Sequence, residues 1–195
     1  MGVIGQASGP WVPSPAQAAA AVASRVCLVD GTLLPCWSWK NHRQLWTRKQ
    51  GVTANAIQVV SDLKGRILFV SGPVPGSMHV AAAVHATGTA QVLAHSGGVI
   101  ADLGYLGCGF ATSVRSTPHS SLSRAQLRAN TALARLRAPI ERAIADLKTW
   151  RVLSTDYRRP LASLPATLTA VLGLYFLTRT ESIASTLPRG EVFAG

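Results

Sequence analysis

Acidic residues are what this chain has least of. Eight Asp and Glu face 19 Lys and Arg in 195 residues, leaving a formal charge of +11 and a pI near 10.8. That imbalance works against cationic ligands and concentrates polyanions, of which nucleic acid is the commonest. A polybasic block or basic amphipathic helix, the usual mark of a membrane-surface protein, is missing, since the Lys and Arg residues are scattered. Cysteine is scarce too. Cys27, Cys36 and Cys108 are odd in number and lack C-x-x-C spacing, which argues against a zinc ribbon or a disulfide framework and fits a reducing compartment. The histidines at 42, 79, 85, 95 and 119 show no H-x-x-H spacing, so ordinary loop or helix roles are expected of them. No apolar run is long enough to span a bilayer comfortably, and "LPATLTAVLGLYFLT" (164–178) reads as a buried core helix. The opening "MGVIGQASGPWVPSP" has no basic n-region and is cut by Gly and Pro, unlike a signal peptide. These features predict a cytoplasmic protein without a membrane partner.

What is present suffices for one folded domain, with 48% hydrophobic residues and 28 Gly and Pro positions spread along the chain. Residues 1–24 are Pro- and Ala-rich, with one helix possible in "PAQAAAAVASR" but no core-forming pattern. "RVCLVDGT" predicts a buried strand that stops at Asp30-Gly31. "WSWKNHRQLWTRKQG" (37–51) alternates aromatic and basic groups, as an exposed loop would. "ANAIQVVS" and "RILFVSG", joined by "DLKG", predict a hairpin turning at Gly65. An Ala-rich helix over 80–94, an apolar run ending at Asp102 in "GGVIADLGYLG", and a short strand in "FATSVRS" follow. From Ser121 the pattern is helical, broken at Pro139 and near Pro160. Strands first and helices after them predict a layered α/β domain.

The few acids are not randomly placed. Asp30 and Asp102 each end an apolar run, where an open α/β sheet presents its functional groups. Turn chemistry explains both equally well, because Asp-Gly and Asp-x-Gly are ordinary turn starters. Glu141 lies on a helix whose apolar stripe is Ile140, Ala143, Ile144 and Leu147. It falls at the stripe's edge, on the flank of Arg137 and Lys148, while Arg142 and Asp146 form an i,i+4 pair on the far side. A solvated charge is the ordinary reading of such a glutamate. Three carboxylates brought to one point, however, would need a cation between them, and all-oxygen ligands suit Mg²⁺ or Mn²⁺.

Five segments in order carry a sharper signal: "VDGT", "NAIQVVSDLKGRILFVSGPVPGSMH", "VIADLGYLG", "LRAPIERAIADLKTWRVLSTDYRRPL" and "LTAVLGLYF". Together they resemble the DDE-type transposases of bacterial insertion sequences, in the Harbinger-like branch, from about Arg25 to Arg179. The resemblance implies an α/β fold of RNase H type, a mixed sheet flanked by helices, occupying residues 25–179 between an N-terminal segment (1–24) and a tail (180–195). It also implies metal-dependent cleavage of DNA at transposon ends and transfer of the 3′ ends to target DNA. Asp30, Asp102 and Glu141 take the places of the family's catalytic, metal-binding acids, with 38 residues between the last two. Lys40, Arg48, Lys49, Arg137, Arg142, Lys148, Arg158 and Arg159 become candidate DNA contacts, and Trp37, Trp39 and Trp46 candidates for stacking on an unpaired base.

The chain departs from the pattern at Val80, where the family carries an acid after the histidine, and at Leu103, where lysine is common. Residues 1–24 are too short for the helix-turn-helix region the family places in front. A catalytic portion is therefore expected, with a homo-oligomer as the active form, a separately encoded helix-turn-helix part as a possible partner, and the bacterial nucleoid as its location. The alternative expectation is an inactive remnant that only binds DNA non-specifically.

Overall fold

The computed structural model describes residues 12–37, 42–117 and 121–184, with 180–184 described by their backbone only. A helix, α1 (Pro15–Val22), precedes the long strand β1 (Val26–Pro35). A 3-10 turn (Arg43–Leu45) and the two-residue β2 (Trp46–Thr47) lead into β3 (Val52–Asp62), β4 (Ile67–Val70) and β5 (Val74–Pro75). Two short helices, α2 (Val80–Ala86) and α3 (Thr89–Leu93), come before β6 (Gly98–Ile100). Three more helices follow: α4 (Arg124–Leu147), α5 (Arg151–Ser154) and α6 (Leu164–Ala184). The strands form one mixed sheet in the order β2-β3-β1-β6, with β4 and β5 also paired to β3. β1 runs antiparallel to β3 and parallel to β6. This is the expected α/β architecture, an RNase H-like mixed sheet with helices on both faces.

Period-two alternation assigns the two faces. Cys27 and Val29 of β1 and Val60 of β3 point toward α1, α2 and α3, in a core with Val22, Phe69, Val84 and Tyr105. Leu34, Ile57 and Val59 point the other way, against Leu147 of α4, Leu153 of α5 and Leu164, Leu168 and Leu172 of α6. α1 contributes Ala18 and Val22 to the first core, although its alanine run carries no core-forming pattern in the sequence. α6 is long and apolar enough by length and composition to cross a membrane; here Leu164, Leu168, Val171, Leu172 and Tyr175 dock it on the sheet, as a core helix.

The structure corrects several expectations. β1 does not stop at Asp30-Gly31 but continues to Pro35, because β3 pairs with it across Cys27–Pro35, Asp30 opposite Val59 and Gly31 opposite Gln58. Asp30 is thus a mid-strand residue. "FATSVRS" contributes only a bridge between Ala111 and Ile100. The segment expected as an exposed loop buries Leu45 and Thr47. Residues 80–94 form two helices, divided where Gly88 adopts a positive φ of 74°. α4 passes through Pro139 unbroken, starting from a reciprocal cap between Ser123 and Gln126. Proline deprives the Arg135 carbonyl of its helical donor, but Ile140, Ala143 and Leu147 are buried immediately beyond it and hold the helix to the sheet. Asp146 pairs with Arg179 rather than Arg142.

The β3–β4 turn presses on the same proline. Gly65 has φ 82°, and a Cβ there would stand 2.8 Å from the Pro139 carbonyl oxygen, so the turn's conformation and its contact both require glycine. Asp62 closes the turn. Its Oδ1 accepts the backbone N–H groups of Lys64 and Arg66 at 2.9 Å each, and its Oδ2 accepts Arg66 Nε at 2.6 Å. Burial alone would push this carboxyl up, but those donors outweigh it and hold it below the ordinary Asp value. A depressed folded-state value means stability that is present above the ordinary carboxylate range and lost as pH falls through it. Asp62→Asn is therefore expected to destabilise the fold by about 1–3 kcal/mol at neutral pH. The difference from wild type should shrink in denaturant melts repeated at progressively lower pH.

Candidate active site

The three candidate acids are delivered by three elements far apart in sequence. Asp30 projects from mid-β1 toward α4, Asp102 begins the turn that follows β6, and Glu141 sits on α4 one residue past the buried Ile140. Arg137, four residues before Glu141, lies between two of them. One of its guanidinium nitrogens, Nη2, donates to Asp30 Oδ2 at 3.1 Å, and Nη1 stands 3.9 Å from Glu141 Oε1. Its Nε is buried without a partner among the described residues. Asp30 and Arg137 are both mostly enclosed, with side chains 20% and 17% exposed, whereas Glu141 reaches solvent at 57%.

The electrostatics join all three acids. Burial pushes the Asp30 carboxyl above its ordinary value, and the charges of Asp102 and Glu141 push the same way. Arg137 and the Gly31 N–H, 2.9 Å from Asp30 Oδ1, oppose them. Asp102 has a double position: its Oδ1 accepts the Gly104 N–H at 2.9 Å, as turn chemistry predicts, while the residue also lines the groove beside Asp30. As the side chains stand, no three of His, Cys, Asp and Glu among the described residues close on a single ion.

Tyr105 ties the Asp102 turn to the sheet. Its hydroxyl donates to Gln58 Oε1 at 2.5 Å, and Gln58 lies opposite Gly31, next to Asp30. Burial, then the charges of Asp30 and Asp102, push the phenol far above its ordinary value, so it stays a neutral donor. This bond joins the turn that Asp102 begins to β3, opposite the residue after Asp30. The tyrosine of "DLGY" was visible in the sequence, but its partner Gln58 carries no signal until the β1–β3 register is known.

A groove of about 880 Å³ runs from Asp30, Asp102 and Tyr105 to the rim formed by Arg43, Trp46, Arg48 and Lys49. Ser77 fastens the opposite wall, donating to the Gln44 carbonyl at 2.6 Å. Gly76 packs so closely against β3 that a Cβ would fall 2.4 Å from the Ala54 carbonyl oxygen. That loop presents His79 and Val80 to the groove, Val80 also packing partly into the core.

The candidate DNA contacts fall in different places. Arg48 and Lys49 line the groove with Asp30 and Asp102, though not Glu141, together with Arg43, which carried no signal in the sequence. Arg137 is held by the acids themselves. Lys148 ends α4, and burial lowers its pKa from the ordinary lysine value. Arg142 and Arg159 are exposed, and Arg158 lies over the Trp37 ring at 4.6 Å. Lys40, with Trp39 and His119, lies outside the described residues. Trp46 is half exposed on the groove rim, the position stacking on a base would need.

No curated protein and no solved structure matches the chain. The family model of the DDE superfamily endonucleases does, over residues 29–175, a span that contains Asp30, Asp102 and Glu141. With that match over most of its length, the chain belongs to the DDE superfamily endonucleases.

Proposed function

We propose that this DDE endonuclease domain is the catalytic part of a transposase that cleaves DNA strands and transfers their 3′ ends. The observation that carries the reading is the Arg137 guanidinium between Asp30 and Glu141, with the charge of Asp102 also acting on Asp30, where Asp30 and Asp102 line a basic groove. The donor set fits a hard divalent cation, Mg²⁺ or Mn²⁺, in its all-oxygen chemistry, and Arg137 already occupies a cation's place between Asp30 and Glu141. Asp30, Asp102 and Glu141 would hold that ion, which when bound lowers the pKa of an attacking water and neutralises charge on the phosphate.

The chain's own residues do the rest. Arg43, Arg48 and Lys49 bind the phosphates of a strand lying in the groove, and Trp46 stacks on an unpaired base. The Tyr105–Gln58 pair fixes the spacing of Asp30 and Asp102. In the first step the water oxygen bonds to phosphorus and the P–O3′ bond breaks, the O3′ taking up a proton. In the second, that 3′ hydroxyl attacks a phosphodiester of the target and displaces its 3′ oxygen. Such an enzyme acts on DNA in the nucleoid, as an oligomer joining two ends, with end recognition supplied by a helix-turn-helix part.

A second reading, a remnant that binds DNA without cutting it, is favoured by one observation. Val80, apolar and partly buried, faces the groove where family members carry an acid. Nicking of supercoiled plasmid in Mn²⁺ separates the two. Nicking by the wild-type protein is expected and supports the enzyme. Activity seen only in Val80→Asp would show that the missing acid silences this copy, and no nicking by either protein would support the remnant.

A further inference from the structure

α4 carries a second basic feature, outside the groove. Arg124, Arg128, Arg135 and Arg142 are spaced four, seven and seven residues apart. At 100° per residue they fall within about 40° of one another, and at 1.5 Å per residue they form a row about 27 Å long. The row is turned about 120° away from Ile140, Ala143 and Leu147, which face the sheet, and about as far from Arg137 and Glu141, which face Asp30. All four arginines are exposed. Among the described residues none of them is in a salt bridge, Asp146 being taken by Arg179 and Glu141 lying on the other flank. No acid occurs between Arg124 and Ile140.

The N-terminal half of the helix is held in place by a side chain on its other flank. Asn130 accepts the Val114 N–H at 2.8 Å and donates to the Val114 carbonyl at 3.0 Å, leaving the arginine row uncovered.

We propose that this row is a second nucleic-acid surface, which binds the backbone of a duplex distinct from the strand in the groove. The inference rests on the DNA-processing reading of the domain. Four guanidinium forks in a line suit phosphates, which they can bind in bidentate fashion. The row is about as long as eight base steps of a duplex at roughly 3.4 Å each. On the row itself lie Thr131 and Ala138, small enough for a backbone to come close, with the exposed Leu127 about 60° to one side. A membrane-binding face would carry several large apolar side chains beside its basic groups, where this one has Leu127 alone within about 60° of Arg124 and Arg142. α4 thus separates two polyanion sites, the acids and groove on one side and the arginine row on the other.

The test uses anisotropy of a labelled 30-base-pair duplex without divalent metal, over a series of salt concentrations. Wild type is compared with the fourfold Arg124/Arg128/Arg135/Arg142→Gln variant and with a groove variant, Arg43/Arg48/Lys49→Gln. Circular dichroism checks that each variant is folded. The fourfold variant should lose at least about tenfold in affinity at low salt, and its plot of log affinity against log salt should flatten by about three to four. A photocrosslinker at Thr131 should capture the duplex in the groove variant as well as in wild type. An unchanged slope in the fourfold variant, with loss only in the groove variant, overturns the second surface and leaves the DNA reading standing. If wild type binds no duplex at all, both fall. Row-dependent binding to vesicles of phosphatidylcholine and phosphatidylserine, without row-dependent duplex binding, overturns the choice of partner.

Discussion

Asp102→Asn should remove metal-dependent nicking almost completely while leaving the fold intact. Asparagine keeps the side-chain oxygen that accepts the Gly104 N–H and is as good a cap as aspartate, so the turn after β6 should hold. What the substitution deletes is one negative charge next to Asp30. A unit charge about 4 Å from a cation is worth on the order of 4 kcal/mol at an effective dielectric of 20. Lost from the transition state, that is a drop of about 10³-fold in rate. The comparison of nicking rates should be paired with thermal melts, which are expected to coincide to within a few degrees. Retained nicking in Asp102→Asn would mean that Asp102 is a turn residue only, the ordinary role that its sequence context allows.

Arg137→Gln should act in the opposite direction on the same site. As the side chains stand, the guanidinium neutralises Asp30 and reaches Glu141, so a divalent ion must displace it to bind both. Removing it is expected to tighten Mn²⁺ binding about tenfold, or 1.4 kcal/mol, in a titration followed by electron paramagnetic resonance. The metal-free fold should suffer, because Asp30 would keep its enclosed charge without a partner. That cost should be on the order of 2 kcal/mol, since the pair is only partly buried.

The sign with pH follows from Asp30. A carboxyl whose folded value is raised keeps its proton longer in the folded chain, so its contribution to stability falls as pH rises from the ordinary Asp value through the raised one. Removing Arg137 raises that value further. The variant's deficit should therefore be largest at neutral pH and fade as Asp30 becomes protonated in both proteins. Weaker Mn²⁺ binding in Arg137→Gln would instead make Arg137 a supporting part of the metal-bound site.

Much of this arrangement could be read from the chain itself, because acids are so scarce that each is conspicuous. The β3–β4 hairpin was legible from β-branched runs flanking a glycine, and the edge position of Glu141 from the apolar stripe on its helix. The position of Asp30 within its strand was not, since Asp-Gly signals a turn locally and only the pairing with β3 carries the strand onward. Continuity through Pro139 was hidden for a similar reason: local propensity breaks the helix, and burial of Ile140, Ala143 and Leu147 restores it. The bond from Tyr105 to Gln58 joins residues 47 apart, and no periodicity announces it. Arg137 looked like a phosphate contact because its sequence neighbours are basic, whereas in space its nearest charges are acids.

The long-range pairings that build the site also set the order in which it can assemble. β3 and β4 meet across a four-residue turn and β1 and β3 across 16 residues, but Val26 must wait for Gly98 to pair in parallel, and the bond between Asp30 and Arg137 spans 107 residues. Closing such wide loops is slow compared with forming hairpins. During synthesis the sheet emerges first, with Leu28, Ile57 and Val59 facing solvent until α4 and α6 cover them. That interval is when the chain is most open to association with other chains. A chain halted before α4 would carry Asp30 and Asp102 on a sheet with one face uncovered, without Glu141 and without Arg137. The third candidate acid therefore arrives only with the same helix that seals the core.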